Sequence, residues 1–311
     1  MASASYELYW REKISAVDTH LHALRKVLVD TRTEYQHMMI VETATFGRAL
    51  ILDGKLQSTT ADEALYHEPL VHLPAIAHGA PRRVLILGGG EGATAREVLE
   101  WKTVEEVVMV DIDGEVVAAC REHLPTMHQG AFTDPRLSLV VGDALAYLAK
   151  TDARWDLVIS DLSEPVESGP SFRLFTKEHF EDVRRVLAPG GVFALQAGSL
   201  TPYEIHLHGR LFRTLEAVFG HVHSYVSHVP SFLTPWGFLM ARDEPFDLRP
   251  NPDDIDRLLA DKVRGPLVMM DGRTTLALMQ TPKHVRSAIA RETRVYTMDA
   301  PPEIPRDGEG G

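Results

Sequence analysis

Short apolar runs broken by turn residues dominate the first part of the chain. HMMIVET (37–43) and FGRALIL (46–52) are two such runs, and Asp53-Gly54 is a hairpin-type turn before KLQST. Runs of this length with such a turn read as strands. The pattern changes at Thr60. TTADEALYHEPLVHLPAIAH has helical apolar spacing, with Thr as a candidate N-cap and acids in the first turn. Pro69 and Pro74 would kink that helix.

A regular alternation follows. RVLIL (83–87), EVVMVD (106–111), LSLVVG (137–142), WDLVISD (155–161) and GVFALQAG (191–198) are strand candidates, with helical segments near 93–101, 114–123, 143–150 and 176–187. Continuous Val/Ile/Leu strands alternating with helices imply a parallel, doubly wound sheet buried on both faces. HVHSYVSHV (221–229) and WGFLMAR (236–242) are separated only by a PSFLTP turn and should pair antiparallel. The expected fold is therefore α/β: a Rossmann-like, methyltransferase-type sheet of parallel strands with a C-terminal antiparallel hairpin, preceded by a small N-terminal β-domain. Beyond Arg242 the sequence gives a Pro/Asp-rich joint, one helix at 282–292, and a polar tail expected to be disordered from Pro301. The expected units are 1–60 (β-domain), 61–242 (catalytic domain) and 243–311 (helical extension and tail).

Composition narrows the function classes. The 311 residues are 44% hydrophobic and 24% charged, as in an ordinary soluble protein. No apolar run approaches the roughly 20 residues of a membrane span, and MASASYELYWREK lacks a secretory apolar stretch. The single cysteine, Cys120, excludes an internal disulfide, which fits the cytosol. Its VVAAC context reads as a small buried hydrophobe. Asp plus Glu outnumber Lys plus Arg, 44 to 32, for a net charge of −12. That field disfavours nucleic acid and favours small cations.

The chemistry concentrates at strand ends. RVLILGGGEGATARE runs from a strand through a glycine turn into a helix. Gly88, Gly90 and Gly92 there let the backbone approach a ligand at a helix N-terminus. Asp111 ends the next strand, where an acid bonds ribose hydroxyls in nucleotide sites. These features fit both S-adenosyl compounds and NAD. Asp143, in VVGDA, is placed to accept from an adenine amino group, an S-adenosyl-type position, and can also cap a helix. Glu91 inside the glycine turn would repel the carboxylate of S-adenosylmethionine but pair with the ammonium of its decarboxylated form. Asp161 ends the fourth strand in ISDLSEPVESGPSFRLFT, and the loop after it is long enough to fold over a substrate. An amine nucleophile, with a pKa of about 10, must lose a proton before attack, and a carboxylate beside it can take that proton. Glu164 and Glu167 add negative charge suited to a polycation. The histidines of HEPLVH are five apart rather than four and so do not share a helix face. His206-x-His208 and His221-x-His223 lack completing ligands, so no metal is expected.

LDGKLQSTTADEALYHE, GGGEGATARE, DIDGEVV, VVGDA, DLSEPVESGP and LQAG, in this order, resemble the spermidine synthase family of polyamine aminopropyltransferases. The resemblance covers about residues 35–242. It implies a homodimer or homotetramer acting on a small polyamine. Decarboxylated S-adenosylmethionine would be the co-substrate, with no prosthetic group. It also implies site roles. Gln36 and Gln57 would contact the nucleoside, Asp111 the ribose and Asp143 the adenine, with His67, Gly88, Gly90, Gly92 and Ala144 also lining the donor site. Glu91 would hold the aminopropyl chain. Asp161 would be the acid–base residue, assisted by the Tyr66 hydroxyl. Gln196 would line the amine channel, with Glu164 and Phe232 beside the acceptor. Three positions depart from putrescine-using members: Glu91 replaces Asp in the glycine turn, Glu164 replaces the second Asp of D-x-x-D, and Pro230-Ser231-Phe232 replaces P-T-Y. These look more like thermospermine synthases and bacterial triamine or agmatine aminopropyltransferases, so spermidine is the expected acceptor and agmatine or putrescine the rivals. Competing readings are an S-adenosylmethionine methyltransferase, a NAD-dependent oxidoreductase and a non-catalytic polyamine-binding relative.

Overall fold

The computed structural model describes residues 8–14, 18–163 and 170–300. Its first part is an antiparallel sheet in simple chain order: β1 (Leu8–Lys13), β2 (Thr19–Arg32), β3 (His37–Thr43), β4 (Arg48–Leu52) and β5 (Lys55–Thr59). The turn between β4 and β5 is Asp53-Gly54, with positive φ at both residues, as a tight hairpin requires. The hydrophobic pattern did not single out β1 and β2. LYWREK and THLHALRKVLVDTR are largely exposed or half-buried and carry little apolar alternation.

The second part runs α1 (Ala64–His78), β6 (Arg83–Gly88), α2 (Ala93–Leu99), β7 (Glu106–Asp111), α3 (Gly114–His123), α4 (Pro125–His128), β8 (Leu137–Val141) and α5 (Ala144–Lys150). It continues with β9 (Trp155–Asp161), α6 (Lys177–Val186), β10 (Leu187–Ser199), α7 (Ile205–Glu216), β11 (His221–Val229) and β12 (Thr234–Arg242). The strands lie in the order β8-β7-β6-β9-β10-β12-β11. Neighbours from β8 to β10 are parallel, and β12 is antiparallel to both β10 and β11. This is the expected parallel sheet with a terminal antiparallel hairpin. The strand order reverses between β6 and β9, the position at which open α/β sheets bind ligands.

Helix α1 departs from expectation in two ways. It begins at Ala64 rather than near Thr60, with no side-chain cap. Thr59 instead donates to Asp62 at 2.6 Å, and Asp62 also accepts from Ser231 N at 2.7 Å, tying the helix start to the β11–β12 turn. The helix also runs unbroken through Pro69 and Pro74. Pro69 has no N–H for the Leu65 carbonyl, and that carbonyl accepts from the Ser227 hydroxyl at 2.6 Å instead. Every residue from Tyr66 to Ala75 is buried, so the helix is central rather than amphipathic.

The N-terminal sheet packs through Met38, Ile40 and Leu50 onto Ala93, Val116, Cys120, Leu124 and Met127. Cys120 is fully buried there, and burial with nearby carboxylates pushes its thiol well up. It is a packing residue. Beyond Arg242 there are three helices where one was expected: α8 (Pro252–Lys262), α9 (Gly272–Leu278) and α10 (Lys283–Arg291). Helix α8 has no fully buried residue, although Leu259 packs half-buried against the core, and α9 has only 7 residues. Helix α7 was also missed, its stripe interrupted by His206, His208 and Gly209. The tail from Pro301 lies outside the described residues. Among the described residues no helix is long and apolar enough to cross a membrane.

The segment before α9 is held by one buried charge. Glu68, 2% exposed on α1, accepts from the backbone N–H groups of Val268, Met269 and Met270 at 2.5, 2.7 and 2.8 Å. Hydrogen bonds to a charged group contribute more than neutral ones. Glu68→Gln should therefore lower the free energy of unfolding by about 2 kcal/mol or more. Urea denaturation would measure this, and an unmoved midpoint would mean that the segment is anchored by something else.

Candidate active site

The site forms where β6 and β9 meet. Gly88 stands directly opposite Asp161 in the parallel register, and Gly89 N donates to Asp161 O at 2.9 Å. Gly88 has φ +83°, and a Cβ there would come within 2.2 Å of that same carbonyl. Only glycine allows the turn to lie this close to β9. A Cβ at Gly90 would meet Asp111 Oδ2 at 2.9 Å. The glycine turn thus presses against both strand-end acids. Gly92 adopts left-handed backbone as the N-cap of α2.

Asp161 is a half-buried carboxylate with both oxygens engaged. The Tyr66 hydroxyl donates to Oδ1 at 2.8 Å, and the Thr94 hydroxyl donates to Oδ2 at 2.5 Å. Burial and the charge of Glu91 raise its pKa, against the opposing effects of His67 and the two hydroxyls. Burial also pushes Asp111 up to about 6, with Glu91, Asp113 and Asp161 adding to it. Asp111 Oδ1 accepts from Asp113 N at 2.9 Å. Glu91 is buried and accepts from His67 Nε2 at 2.8 Å. His67, Glu91 and Asp161 offer atoms that all lie within 4.8 Å of one another.

The remaining expected residues fall into two groups. Gln57, Tyr66, Gln196 and Phe232 line one cavity between the N-terminal sheet and the strand ends. Gln196 donates to Leu162 O at 2.8 Å and accepts from Trp236 Nε1 at 3.2 Å. The Phe232 ring lies 6.0 Å from Tyr66 and 4.7 Å from Trp236, edge-on to both. Gln36 instead donates to Asp113 at 2.9 Å, behind Asp111. Asp143 is exposed and caps α5, accepting from Leu145 N at 2.9 Å, with Ala144 buried beside it. Glu164 and the loop through Glu167 lie outside the described residues.

Several residues were missed by the sequence reading. Thr94 had one signal, a hydroxyl in the first turn after Gly92. Glu12 and Glu204 also line the cavity. Glu12 is buried in β1, accepting from His22 and from Leu56 N, each at 2.9 Å. The Glu204 carboxylate accepts from the Thr201 hydroxyl at 3.2 Å. Neither acid sits in a sequence motif. The histidine pairs are no ligand pairs: His208 bonds Ser224 at 2.8 Å and His223 faces Leu278 O at 3.1 Å. His72 is tied to Glu97 at 2.8 Å and accepts from Trp101 at 3.0 Å.

A family model described as the spermine/spermidine synthase domain matches residues 63–249, and a spermidine synthase tetramerisation domain matches residues 9–60. The chain belongs to the spermine/spermidine synthase family. It is 52% identical over 311 residues to a polyamine aminopropyltransferase of Synechococcus sp. (strain JA-2-3B'a(2-13)), covering 97% of this chain and 99% of that one. It is 39% identical over 303 residues to thermospermine synthase ACAULIS5 of Arabidopsis thaliana, covering 95% and 87%. A crystal structure of spermidine synthase in complex with the transition-state analogue AdoDATO superposes with a TM-score of 0.84 at 27% identity, covering 92% of this chain and 96% of that one. The spermine/spermidine synthase fold and membership expected from the motifs are borne out.

Within this family site, Asp111 is a strained element. A carboxyl raised above its unfolded value is destabilising above the folded pKa, and the cost vanishes as pH falls below the unfolded one. With Asp111 shifted from 3.8 to about 6, Asp111→Asn should stabilise the ligand-free protein by about 1–2 kcal/mol at pH 7. The gain should fade towards pH 4. Urea melts at both pH values would check it, and equal stability of the two proteins at pH 7 would contradict it.

Proposed function

We propose that this chain transfers the aminopropyl group of decarboxylated S-adenosylmethionine to a polyamine, with spermidine the preferred acceptor and thermospermine and methylthioadenosine the products. The observation that carries this reading is Asp161, anchored by Tyr66 and Thr94 beside a cavity walled by aromatic rings and lined by further carboxylates. Family membership supports the same reaction.

In this reading Asp161 accepts a proton from the terminal ammonium of the amine. Its raised pKa makes it a better base than an exposed carboxylate. The freed nitrogen lone pair attacks the methylene next to the sulfonium. The N–C bond forms as the C–S bond breaks, and that bond's electron pair stays on sulfur, which leaves as a neutral thioether. Tyr66 keeps Oδ1 of Asp161 turned towards the amine. Glu91 pairs with the donor's ammonium, while Asp111 accepts from ribose hydroxyls and Asp143 from the adenine amino group. Gly88, Gly90, Gly92 and Ala144 give the nucleoside backbone room, and Gln36 and Gln57 border it. Gln36 contributes through its hydrogen bond to Asp113.

The acceptor preference rests on the far part of the cavity. Phe232 and Trp236 offer methylene-sized apolar wall, and Glu12 and Glu204 add carboxylates to the same cavity. A longer cation can use both. Chains associating through the 9–60 sheet, as a dimer or tetramer, and a cytosolic location complete the reading.

Asp161→Asn should retain methylthioadenosine binding but lose transfer by about 10²-fold or more; near wild-type turnover at saturation would remove Asp161 from the role of base. The acceptor is checked by competition among equal putrescine, agmatine and spermidine, with products separated by chromatography. Thermospermine should predominate, and predominant spermidine made from putrescine would refute the preference.

A further inference from the structure

His67 is 1% exposed and has an acceptor at each ring nitrogen. Nδ1 faces Glu63 Oε2 at 2.9 Å and Glu63 O at 2.8 Å, and Nε2 faces Glu91 Oε1 at 2.8 Å. A neutral imidazole has one N–H and would turn a lone pair onto a buried oxygen on one side. The doubly protonated ring satisfies all three contacts with both carboxylates ionised. Glu63 cannot supply the missing proton itself, because Arg96 takes both its oxygens in a bidentate fork at 2.9 Å each. Arg96 is fixed in turn by Glu97 and by the Met127 carbonyl.

We propose that His67 is a permanent imidazolium serving as the internal counter-cation of the site, keeping Glu91 and Asp161 ionised side by side, with Glu63 and Arg96 as the positioning residues that hold it there. The charged groups around the ring are Glu63 before α1, Glu91 in the glycine turn, Asp161 on β9, and Arg96 on α2 behind Glu63; the Tyr66 ring covers it edge-on at 4.9 Å. Two carboxylates this close repel each other when both are ionised. The cation, hydrogen-bonded to Glu91 and within 4.8 Å of Asp161, offsets that repulsion. Burial alone would push His67 down, but Glu63 and Glu91 overcome it and hold it well above the usual range. Glu63 is held low against its own burial by His67 and Arg96. The function of the cation rests on the transfer reading, in which Glu91 must hold an ammonium while Asp161 takes up a proton. Its protonation state does not.

The experiment has two arms. In the first, ligand-free protein with 15N-labelled histidine is followed by NMR from pH 5 to 9, with His67 assigned by difference against His67→Gln or, if that variant fails to fold, His67→Asn. Both ring nitrogens should remain protonated throughout, and a neutral tautomer appearing anywhere in that range would overturn the proposal. This arm needs no turnover, so it is decided even if the protein proves not to transfer aminopropyl groups. In the second, pH profiles of kcat/KM are measured for Glu63→Gln and His67→Gln. The acidic limb should move upward by about one pH unit in His67→Gln, because a lost cation raises neighbouring carboxylates, and by less in Glu63→Gln, where the ring loses one of its two anionic partners but keeps Glu91. Profiles lowered in height but unmoved in pH would mean that His67 and Glu63 only shape the site.

Discussion

Three carboxylates, Glu91, Asp111 and Asp161, crowd around one glycine turn, and much of the surrounding structure answers the cost of putting them there. Each is wholly or largely shielded from water, and Glu91 and Asp161 both add to the upward push on Asp111. Such groups persist only when hydrogen bonds or opposite charge compensate them. Tyr66 and Thr94 cover Asp161, the Asp113 amide covers one oxygen of Asp111, and His67 sits on Glu91. The negative potential left over is what a donor and an acceptor that are both cations would meet.

This arrangement explains why α1 is so polar for a buried helix. Tyr66, His67, Glu68 and His72 each have a defined partner: Asp161, the Glu63–Glu91 pair, the 268–270 backbone, and Glu97 with Trp101. One helix therefore connects the reaction site, the C-terminal segment and α2. Its start is pinned through Asp62 to Ser231, so the turn bearing Phe232 is held in register with Tyr66. The chemistry and the packing of α1 are not separable.

The sheet was readable because its strands are continuous apolar runs whose only stable arrangement is a buried parallel layer. The strand-end acids Asp111, Asp143 and Asp161 and the glycine turn were readable for the same reason: strand ends are fixed once strands are. Glu12 and Glu204 were not, because a cavity wall is assembled from elements distant in sequence and neither residue belongs to a local pattern. Glu63 and Arg96 stood inside quoted motifs, ADEALYHE and GATARE, but their pairing spans 33 residues and depends on how α1 packs on α2. Helix α8 carries a short helical stripe, Ile255, Leu258 and Leu259, but sits in a Pro- and Asp-rich stretch that reads as a joint. Pro69 misled because the partner that replaces its lost hydrogen bond, Ser227, comes from β11.

The central claim is that this cluster of negative charge selects a donor without a carboxylate and directs attack by an amine. It is tested most directly by giving the purified protein spermidine with either decarboxylated S-adenosylmethionine or the intact compound, and quantifying the nucleoside products. Methylthioadenosine should appear mole for mole with an aminopropylated amine, from the decarboxylated donor alone. Release of S-adenosylhomocysteine from the intact donor, with no methylthioadenosine from the other, would contradict the account.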